Sequence, residues 1–196
     1  MSEYLYGLLG FVSIFLYDLN NLEHNNDRLE SLYAVGAGLL GLSLGTKALS
    51  GAAADNGMPT AVRIIMGVLA LGFFALLVHS SLIAGGRTSW KFGAQKSSDR
   101  WWEKKLVSTG VYALCRHPSV WWMIFLCLCL VPSVGLELFT ALAYSGLSVL
   151  LALYEDKRVF PKLMAGYDSY KKTTPFLFPR RENVRRCFEK SGKGAK

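Results

Sequence analysis

A basic pair directly before an apolar stretch is the part of the sequence best suited to bind a ligand. Arg116 and His117 end a polar segment, and Pro118 opens the apolar stretch. Proline suits the first turn of a helix, because its missing N–H would have no partner within the helix there. We therefore expect a helix that begins at Pro118, with free backbone N–H groups and the positive end of its dipole beside the basic pair. Such a site favours a carboxylate or a phosphate; the alternative is a loop whose basic residues face lipid headgroups.

Further ionisable residues lie close to the apolar stretches. Glu155 and Asp156 stand where the last apolar stretch ends, and their carboxylates suit an ammonium or a sulfonium group. For Glu155, an ion pair with Arg158 or a place at the membrane boundary is the alternative. His79 lies within the third apolar stretch, where an ionisable residue is a functional candidate. Its alternative role is a hydrogen bond to a backbone carbonyl near the inner boundary.

Two blocks of the sequence together resemble the isoprenylcysteine carboxyl methyltransferase family and its phospholipid methyltransferase relatives. The first block is Gly-x-Tyr followed by Arg-His-Pro, which ends at Pro118 at the mouth of a hydrophobic hairpin. The second block has an acidic pair, a Gly before a Tyr-x-x-Tyr, and a close that contains proline: Glu155-Asp156, Gly166-Tyr167, Tyr170-Lys171-Lys172, Thr174-Pro175 and Pro179. The resemblance covers about residues 84–179 and rests on the order and spacing of both blocks.

The resemblance implies an enzyme that transfers a methyl group from S-adenosylmethionine to a lipophilic acceptor. The favoured acceptor group is a carboxylate of a prenylated or isoprenoid-like molecule, since a carboxylate is already ionised and needs no general base. Methylation of a phospholipid amine is an alternative. A sterol-reductase-like enzyme with a nicotinamide cofactor (NADPH) and a membrane protein without catalytic activity are two further alternatives.

The resemblance also implies where the cofactor binds. Residues 106–112, His117 and Pro118 would line the pocket, and Glu155 would close it. Arg116 and His117 suit the carboxylate of the cofactor, tyrosine rings suit its adenine or its positive charge, and Gly110 permits close approach of the backbone. The candidate cofactor-binding residues are Leu106, Val107, Gly110, Tyr112, His117, Pro118, Glu155, Tyr167 and Tyr170, and the catalytic candidates are Arg116, Glu155 and His79. Anchoring at the membrane interface is the alternative for the tyrosines.

Two tryptophans lie one turn into the hairpin. Trp121 and Trp122 are candidates for the rim of a lateral opening through which a lipophilic acceptor reaches the cofactor from the bilayer. The alternative is that both belong to the aromatic belt that anchors membrane helices.

Composition predicts an all-α polytopic membrane protein. The 196 residues are 52% hydrophobic, and the apolar ones come in long blocks. Predicted spans cover residues 4–19, 32–49 and 61–83, and a hairpin over residues 119–154 supplies two more. Its first arm is short, which is compatible with tilt, with extension beyond Pro132 or with incomplete crossing.

The domain organisation follows from these spans. We expect one membrane-embedded domain over residues 1–179, with three N-terminal membrane helices in residues 1–83 and the cofactor-binding half in residues 84–179. Residues 180–196 read as a basic, mobile tail.

The distribution of charge indicates the orientation of the protein in the membrane and the kind of partner it binds. Of the 22 Lys and Arg residues, 19 lie in residues 87–116 and 157–196, which places those segments and the C-terminus in the cytoplasm by the positive-inside rule. Anionic lipid explains the net charge of +8, and the aromatic residues lie in the apolar blocks, so nucleic acid is not expected.

The four cysteines form no C-x-x-C pair, so we expect small buried side chains and no metal site. The sequence does not indicate an oligomeric state.

Overall fold

The computed structural model describes residues 2–23, 26–52, 54–84 and 106–185. These ranges are helical and contain no strand, which confirms the all-α class. In chain order the α-helices are α1 (Ser2–Glu23), α2 (Leu32–Ala52), α3 (Thr60–Val78), α4 (Val111–Leu114), α5 (Pro118–Val134), α6 (Leu138–Tyr154), α7 (Phe160–Leu163) and α8 (Tyr167–Thr173). A 3-10 turn, Asp27–Leu29, precedes α2, and the π-helical turns His79–Ala84 and Glu155–Val159 continue α3 and α6. The basic segment over residues 85–105 lies outside the described residues.

Four helical stretches are long and apolar enough to cross a bilayer, which indicates a membrane protein. They are Tyr4–Glu23, Leu32–Ala52, Thr60–Ser81 and Leu138–Leu163. The apolar helix α5 has only 17 residues, or about 25 Å at 1.5 Å per residue. Helix α3 exposes Ile64, Val68 and Leu71, as suits a helix that contacts lipid rather than water.

Helix α5 is the centre of the bundle and contacts α2, α3 and α6. It begins at Pro118 as predicted, runs through Pro132 and ends at Val134. The next residue, Gly135, has a left-handed conformation (φ 69°) that terminates the helix. Cys127 on α5 is completely buried. Together with Cys115 and Cys129 it is a free, buried thiol, as expected for three of the four cysteines; Cys187 lies outside the described residues.

Helices α1, α2 and α6 meet around the buried Tyr144. Its hydroxyl shares a hydrogen bond with the Ser43 hydroxyl at 2.9 Å. Its ring lies edge-on to Phe11 at a centroid distance of 5.8 Å. The hydroxyl end lies over Gly7, where any side chain would overlap it. This cluster joins both N-terminal helices to the second arm of the hairpin.

The α1–α2 contact depends on two glycines. A Cβ on Gly36 would come within 2.7 Å of the Gly10 carbonyl oxygen, and one on Gly10 within 2.9 Å of the Gly36 carbonyl oxygen. The sequence predicts close helix packing at Gly36, Gly41 and Gly45, because small residues let helix backbones approach. Gly36 makes such a contact, whereas an added Cβ on Gly41 or Gly45 would meet nothing within 4 Å among the described residues.

A second polar cluster closes the end of the bundle away from Pro118. The Arg63 guanidinium donates to the Ser133 carbonyl (3.2 Å) and to the Gly51 (3.1 Å) and Ala52 (2.8 Å) carbonyls. The Asn56 amide donates to the Pro132 carbonyl at 3.0 Å. Carbonyl groups at the C-terminal ends of α2 and α5, which have no partner within their helices, thereby gain donors.

We predict that Gly36→Ala lowers the free energy of unfolding relative to Gly38→Ala. Both changes add one methyl group to α2 and change helix propensity equally. Only the methyl on residue 36 meets the backbone of α1, since nothing lies within 4 Å of a Cβ on Gly38. The difference should be about 1–3 kcal/mol, measured by unfolding of the purified protein in detergent micelles. Equal stability of the two variants would contradict close packing at this point.

Candidate functional site

The two sequence blocks meet through one buried ion pair. Arg116 lies in the connection between α4 and α5, and Asp156 is the second residue of the π-turn after α6. The Arg116 Nε lies 2.7 Å from Asp156 Oδ1, and its Nη2 lies 3.0 Å from Oδ2. Their side chains are only 10% and 8% exposed. This two-pronged geometry is the strongest form of carboxylate–guanidinium contact.

Arg116 organises the surrounding chain rather than offering a free guanidinium to a ligand. Its Nη1 donates to the carbonyls of Lys171 (3.2 Å) and Thr174 (2.6 Å). With the two bonds to Asp156, four of the five N–H groups that an arginine carries are in use. The expected role of Arg116 in binding a ligand carboxylate is therefore replaced by a positioning role.

Two side chains of the second block contact the Asp156 carboxylate. The Tyr167 hydroxyl donates to its Oδ1 at 2.6 Å, and the Lys171 ammonium lies 3.6 Å from its Oδ2. Burial and this hydrogen bond to Asp156 raise the pKa of Tyr167, so the phenol stays a neutral donor. Of the two adjacent acidic residues, Asp156 thus holds the site together, while Glu155 lines the cavity described below.

His117 lies at the junction of these groups and is 4% exposed. Its ring stacks on Phe160 at a centroid distance of 5.6 Å. Nδ1 lies 3.7 Å from the Glu155 carboxylate and Nε2 lies 3.7 Å from that of Asp156, which is too long for a hydrogen bond. Nε2 has no hydrogen-bond partner in the described part of the chain. Burial lowers the pKa of His117, against the opposing effect of Asp156, so the imidazole is neutral near pH 7.

The backbone N–H groups before α5 are occupied. The N–H of Arg116 donates to the Pro175 carbonyl (3.0 Å) and that of His117 to the Phe176 carbonyl (3.3 Å). The Trp121 indole N–H donates to the next carbonyl along the chain, that of Leu177, at 2.9 Å. The N–H groups of the basic pair are therefore not available to an anion, because the end of the second block folds back onto them. The anion site expected at the N–H groups of the following helix start stays a prediction.

Tyrosine hydroxyls link the remaining segments of the site. Tyr170 donates to the Tyr112 carbonyl at 2.5 Å, and Tyr112 donates to the Ser80 carbonyl at 2.6 Å. The buried Asn183 amide donates to the carbonyls of Ala113 and Thr173, each at 3.1 Å. The predicted tail boundary at residue 180 is therefore too early, since Asn183 belongs to the packed domain.

A cavity of about 400 Å³ opens beside this network. The five long helices α1, α2, α3, α5 and α6 contribute to its lining, with polar residues near the network and apolar residues further along. The short helices α4, α7 and α8 also contribute to the lining. From the polar end inward, the lining residues of the five long helices include Asn21, Asp18, Ile14 and Phe11 on α1; Tyr33, Ala37, Leu40 and Leu44 on α2; Ser81, Ser80, Leu77 and Phe74 on α3 and its π-turn; His117, Val120, Met123 and Leu126 beside and along α5; and Glu155, Ala152 and Leu151 on α6 and its π-turn. Ser148 is an exception on α6. The volume lies within the range of small-molecule sites.

The cavity brings together most of the residues that the sequence singled out. Those that line it are Leu106, Val107, Tyr112, Arg116, His117, Glu155, Tyr167 and Tyr170. Gly110 and Pro118 do not line it; Gly110 forms a turn at φ 60° and Pro118 forms the first turn of α5. Their predicted contact with a cofactor has no support in this geometry.

His79 and the two tryptophans also lie outside the cavity. His79 is exposed, because Ser80 and Ser81 hold the positions that face the cavity. Trp121 and Trp122 instead line a separate apolar depression together with Phe125. Trp122 stacks on Phe73 of α3 at 6.3 Å. The catalytic role of His79 is therefore not supported, and a rim at Trp121 and Trp122 would not border this cavity.

Two cavity residues were missed at the sequence level. Asp18 and Asn21 on α1 are 1% and 8% exposed. They lie three residues apart in an apolar helix, and a polar pair on one face of such a helix is a functional signal. The predicted span ends at residue 19, so Asn21 falls in the loop after it and Asp18 falls at the boundary of the span.

Cys115 is the thiol nearest to the basic pair in sequence. Burial raises its pKa to about 11, so the thiol is protonated near pH 7 and does not act as a nucleophile.

No known protein family, curated protein or solved structure matches the chain. The resemblance of the two sequence blocks therefore stays a prediction from the residues alone. What the protein does must be inferred from the chemistry of the site.

We predict that acidification destabilises the protein through His117. Its pKa in the folded state lies below the ordinary 6.5, so the unfolded chain binds the proton more readily. The contribution of neutral His117 to the free energy of unfolding is complete above about pH 6.5. It declines as the pH falls from there toward the pKa of His117 in the folded state. The melting temperature in detergent between about pH 7.5 and 5 should fall less in His117→Asn than in the wild type.

His79→Asn is the matched control for this measurement, since His79 is exposed. It should keep the wild-type decline. An equal decline in His117→Asn and the wild type would show that His117 is not held neutral.

Proposed function

We propose that the protein is a membrane methyltransferase that moves a methyl group from S-adenosylmethionine to a lipophilic acceptor. A carboxylate of a prenylated or isoprenoid-like molecule is the acceptor group that we favour. The observation that carries the proposal is the single cavity that runs from the polar network around His117 and Glu155 to the apolar residues Met123 and Leu126. One space thus offers a polar site for a charged cofactor and an apolar path for a lipid chain.

The polar end fits the groups of the cofactor. The Glu155 carboxylate lines the cavity and suits an ammonium or a sulfonium. His117 Nε2 is a buried polar atom without a hydrogen-bond partner in the described residues, and such an atom calls for a partner from a ligand. The rings of Tyr112, Tyr167 and Tyr170 line the same end and suit an adenine. When bound, S-adenosylmethionine supplies a methyl group that is open to attack by a nucleophile.

The chain's own residues position the reactants and exclude water. Arg116 and Asp156 fix the start of α5 relative to the end of α6, and thereby the distance between His117 and Glu155. An ionised carboxylate acceptor needs no general base, so the acceleration must come from placement and desolvation. The apolar part of the cavity suits this task, because a chain that stays in hydrocarbon retains about 0.8 kcal/mol per CH₂.

We predict that His117→Ala weakens binding of S-adenosylmethionine. Loss of one hydrogen bond to a charged group costs about 1.5–3 kcal/mol, or roughly tenfold to a hundredfold in the dissociation constant. Calorimetric titration of the purified protein in detergent micelles measures it, with the exposed His79→Ala as control. The wild type should bind S-adenosylmethionine and not NADPH. An unchanged dissociation constant in His117→Ala would remove this part of the proposal, and binding of NADPH alone would favour a reductase.

We further propose that all five long helices cross the membrane. The cavity-lining ends of α1, α3 and α6 would then face the cytoplasm, together with the start of α5. The segregation of Lys and Arg supports this orientation, and entry of a water-soluble cofactor from the cytoplasm requires it.

A single cysteine introduced into the connection between α2 and α3 tests the topology. We predict that a membrane-impermeant thiol reagent labels it in intact cells at a position such as Asp55. The four native cysteines should be replaced by serine or alanine first. Labelling only after permeabilisation would contradict the proposed topology.

A further inference from the structure

The wall of the cavity formed by α1 carries polar side chains that the proposed cofactor site does not use. Asp18 and Asn21 both line the cavity and lie one turn apart on the same face of α1. Helix α1 packs against α6 and against the π-turn Glu155–Val159, and the Phe15 ring lies 4.9 Å from that of Tyr154. This wall therefore stands beside the Glu155 region but belongs to a different helix.

Asn21 has hydrogen-bonding capacity that the described chain leaves unused. Its side chain is more than nine-tenths buried, at 8% exposure, and its Nδ2 has no hydrogen-bond partner in that part of the chain. The adjacent Asn20 shows the contrast. Its amide donates to the Asn26 carbonyl (3.1 Å) and accepts from the Asn26 N–H (3.0 Å), which closes the turn after α1. Asn20 is a structural amide, whereas the Asn21 amide faces the cavity without a partner for its donor.

A buried amide donor that lines a cavity and has no partner marks a place where a ligand oxygen binds. The nearby Asp18 makes this wall acidic, which disfavours a second anion there. The oxygen that suits Asn21 is therefore an uncharged one, such as an ester, amide or ketone carbonyl. The apolar residues Ile14 and Phe11 continue inward along the same helix and suit the chain attached to that head group.

We propose that Asn21 is a specificity-determining residue that donates a hydrogen bond to an uncharged carbonyl oxygen in the head of the lipophilic acceptor. This inference rests on the proposed function, since it assigns the polar end beside His117 and Glu155 to the cofactor. The N-terminal helix, which lies outside both sequence blocks, thereby selects the acceptor, while the C-terminal half holds the methyl donor.

The test uses methyl dodecanoate, a lipophilic ester with one carbonyl, as the probe. Its binding to the full chain is measured in alkyl maltoside micelles, which contain no carbonyl group. The infrared carbonyl band of the bound ester reports hydrogen bonding directly. We expect Asn21→Leu to weaken binding about threefold to tenfold and to shift the carbonyl band to higher frequency. Asn21→Ser keeps a donor at this position. It should therefore bind the ester more tightly than Asn21→Leu does, and its carbonyl band should lie between those of Asn21→Leu and the wild type.

Asn20→Leu is the control for the neighbouring amide. It should lower the melting temperature and leave the carbonyl band of the bound probe unchanged. Equal binding and an unchanged band in Asn21→Leu would overturn the inference, as would failure of the wild type to bind the probe.

Titration of the same variants with S-adenosylmethionine separates the two proposals. If the cofactor binds and the Asn21 variants behave like the wild type toward the probe, only the role of Asn21 fails. If the Asn21 effects hold and the wild type binds no S-adenosylmethionine, the methyltransferase proposal fails and the carbonyl site remains.

Discussion

The ion pair between Arg116 and Asp156 is the contact on which the site depends. It joins residues 40 positions apart in sequence, and both partners are nearly buried. A buried charge that loses its partner is strongly destabilising, so neither residue can be placed correctly without the other. The same guanidinium also binds the carbonyls of Lys171 and Thr174. One side chain thus fixes the start of α5, the end of α6 and the segment after α8.

Around this pair, the site is built from the ends of helices. Helix ends leave backbone groups without partners, and here other segments supply them: the Pro175 and Phe176 carbonyls accept from the N–H groups before α5. The polar side chains at those ends then face one another across the cavity, while the middles of the same helices supply its apolar walls. The cavity is polar at one end and apolar at the other because helices with polar ends and apolar middles pack side by side.

The sequence predicts the helices better than the roles of their side chains. Proline chemistry alone predicts the start of α5 at Pro118, and hydropathy predicts the long helices to within a few residues at most ends. Which of two adjacent residues faces the site is decided by packing: Asp156 rather than Glu155 pairs with Arg116, and Ser80 rather than His79 faces inward. Asn183 lies in a basic stretch with no periodic signal, and only the tertiary contacts show that it is buried.

The shortness of α5 has a consequence for how the bundle is put together. At about 25 Å this central helix is shorter than the four stretches of 20 to 26 residues that are long enough to cross a bilayer. A helix that ends short of its neighbours leaves its last carbonyl groups facing other helices, and such groups are costly when they lack a partner. Arg63 and Asn56 donate to the Ser133 and Pro132 carbonyls at this end. The core helix can therefore stop inside the bundle and does not have to match the length of the outer helices.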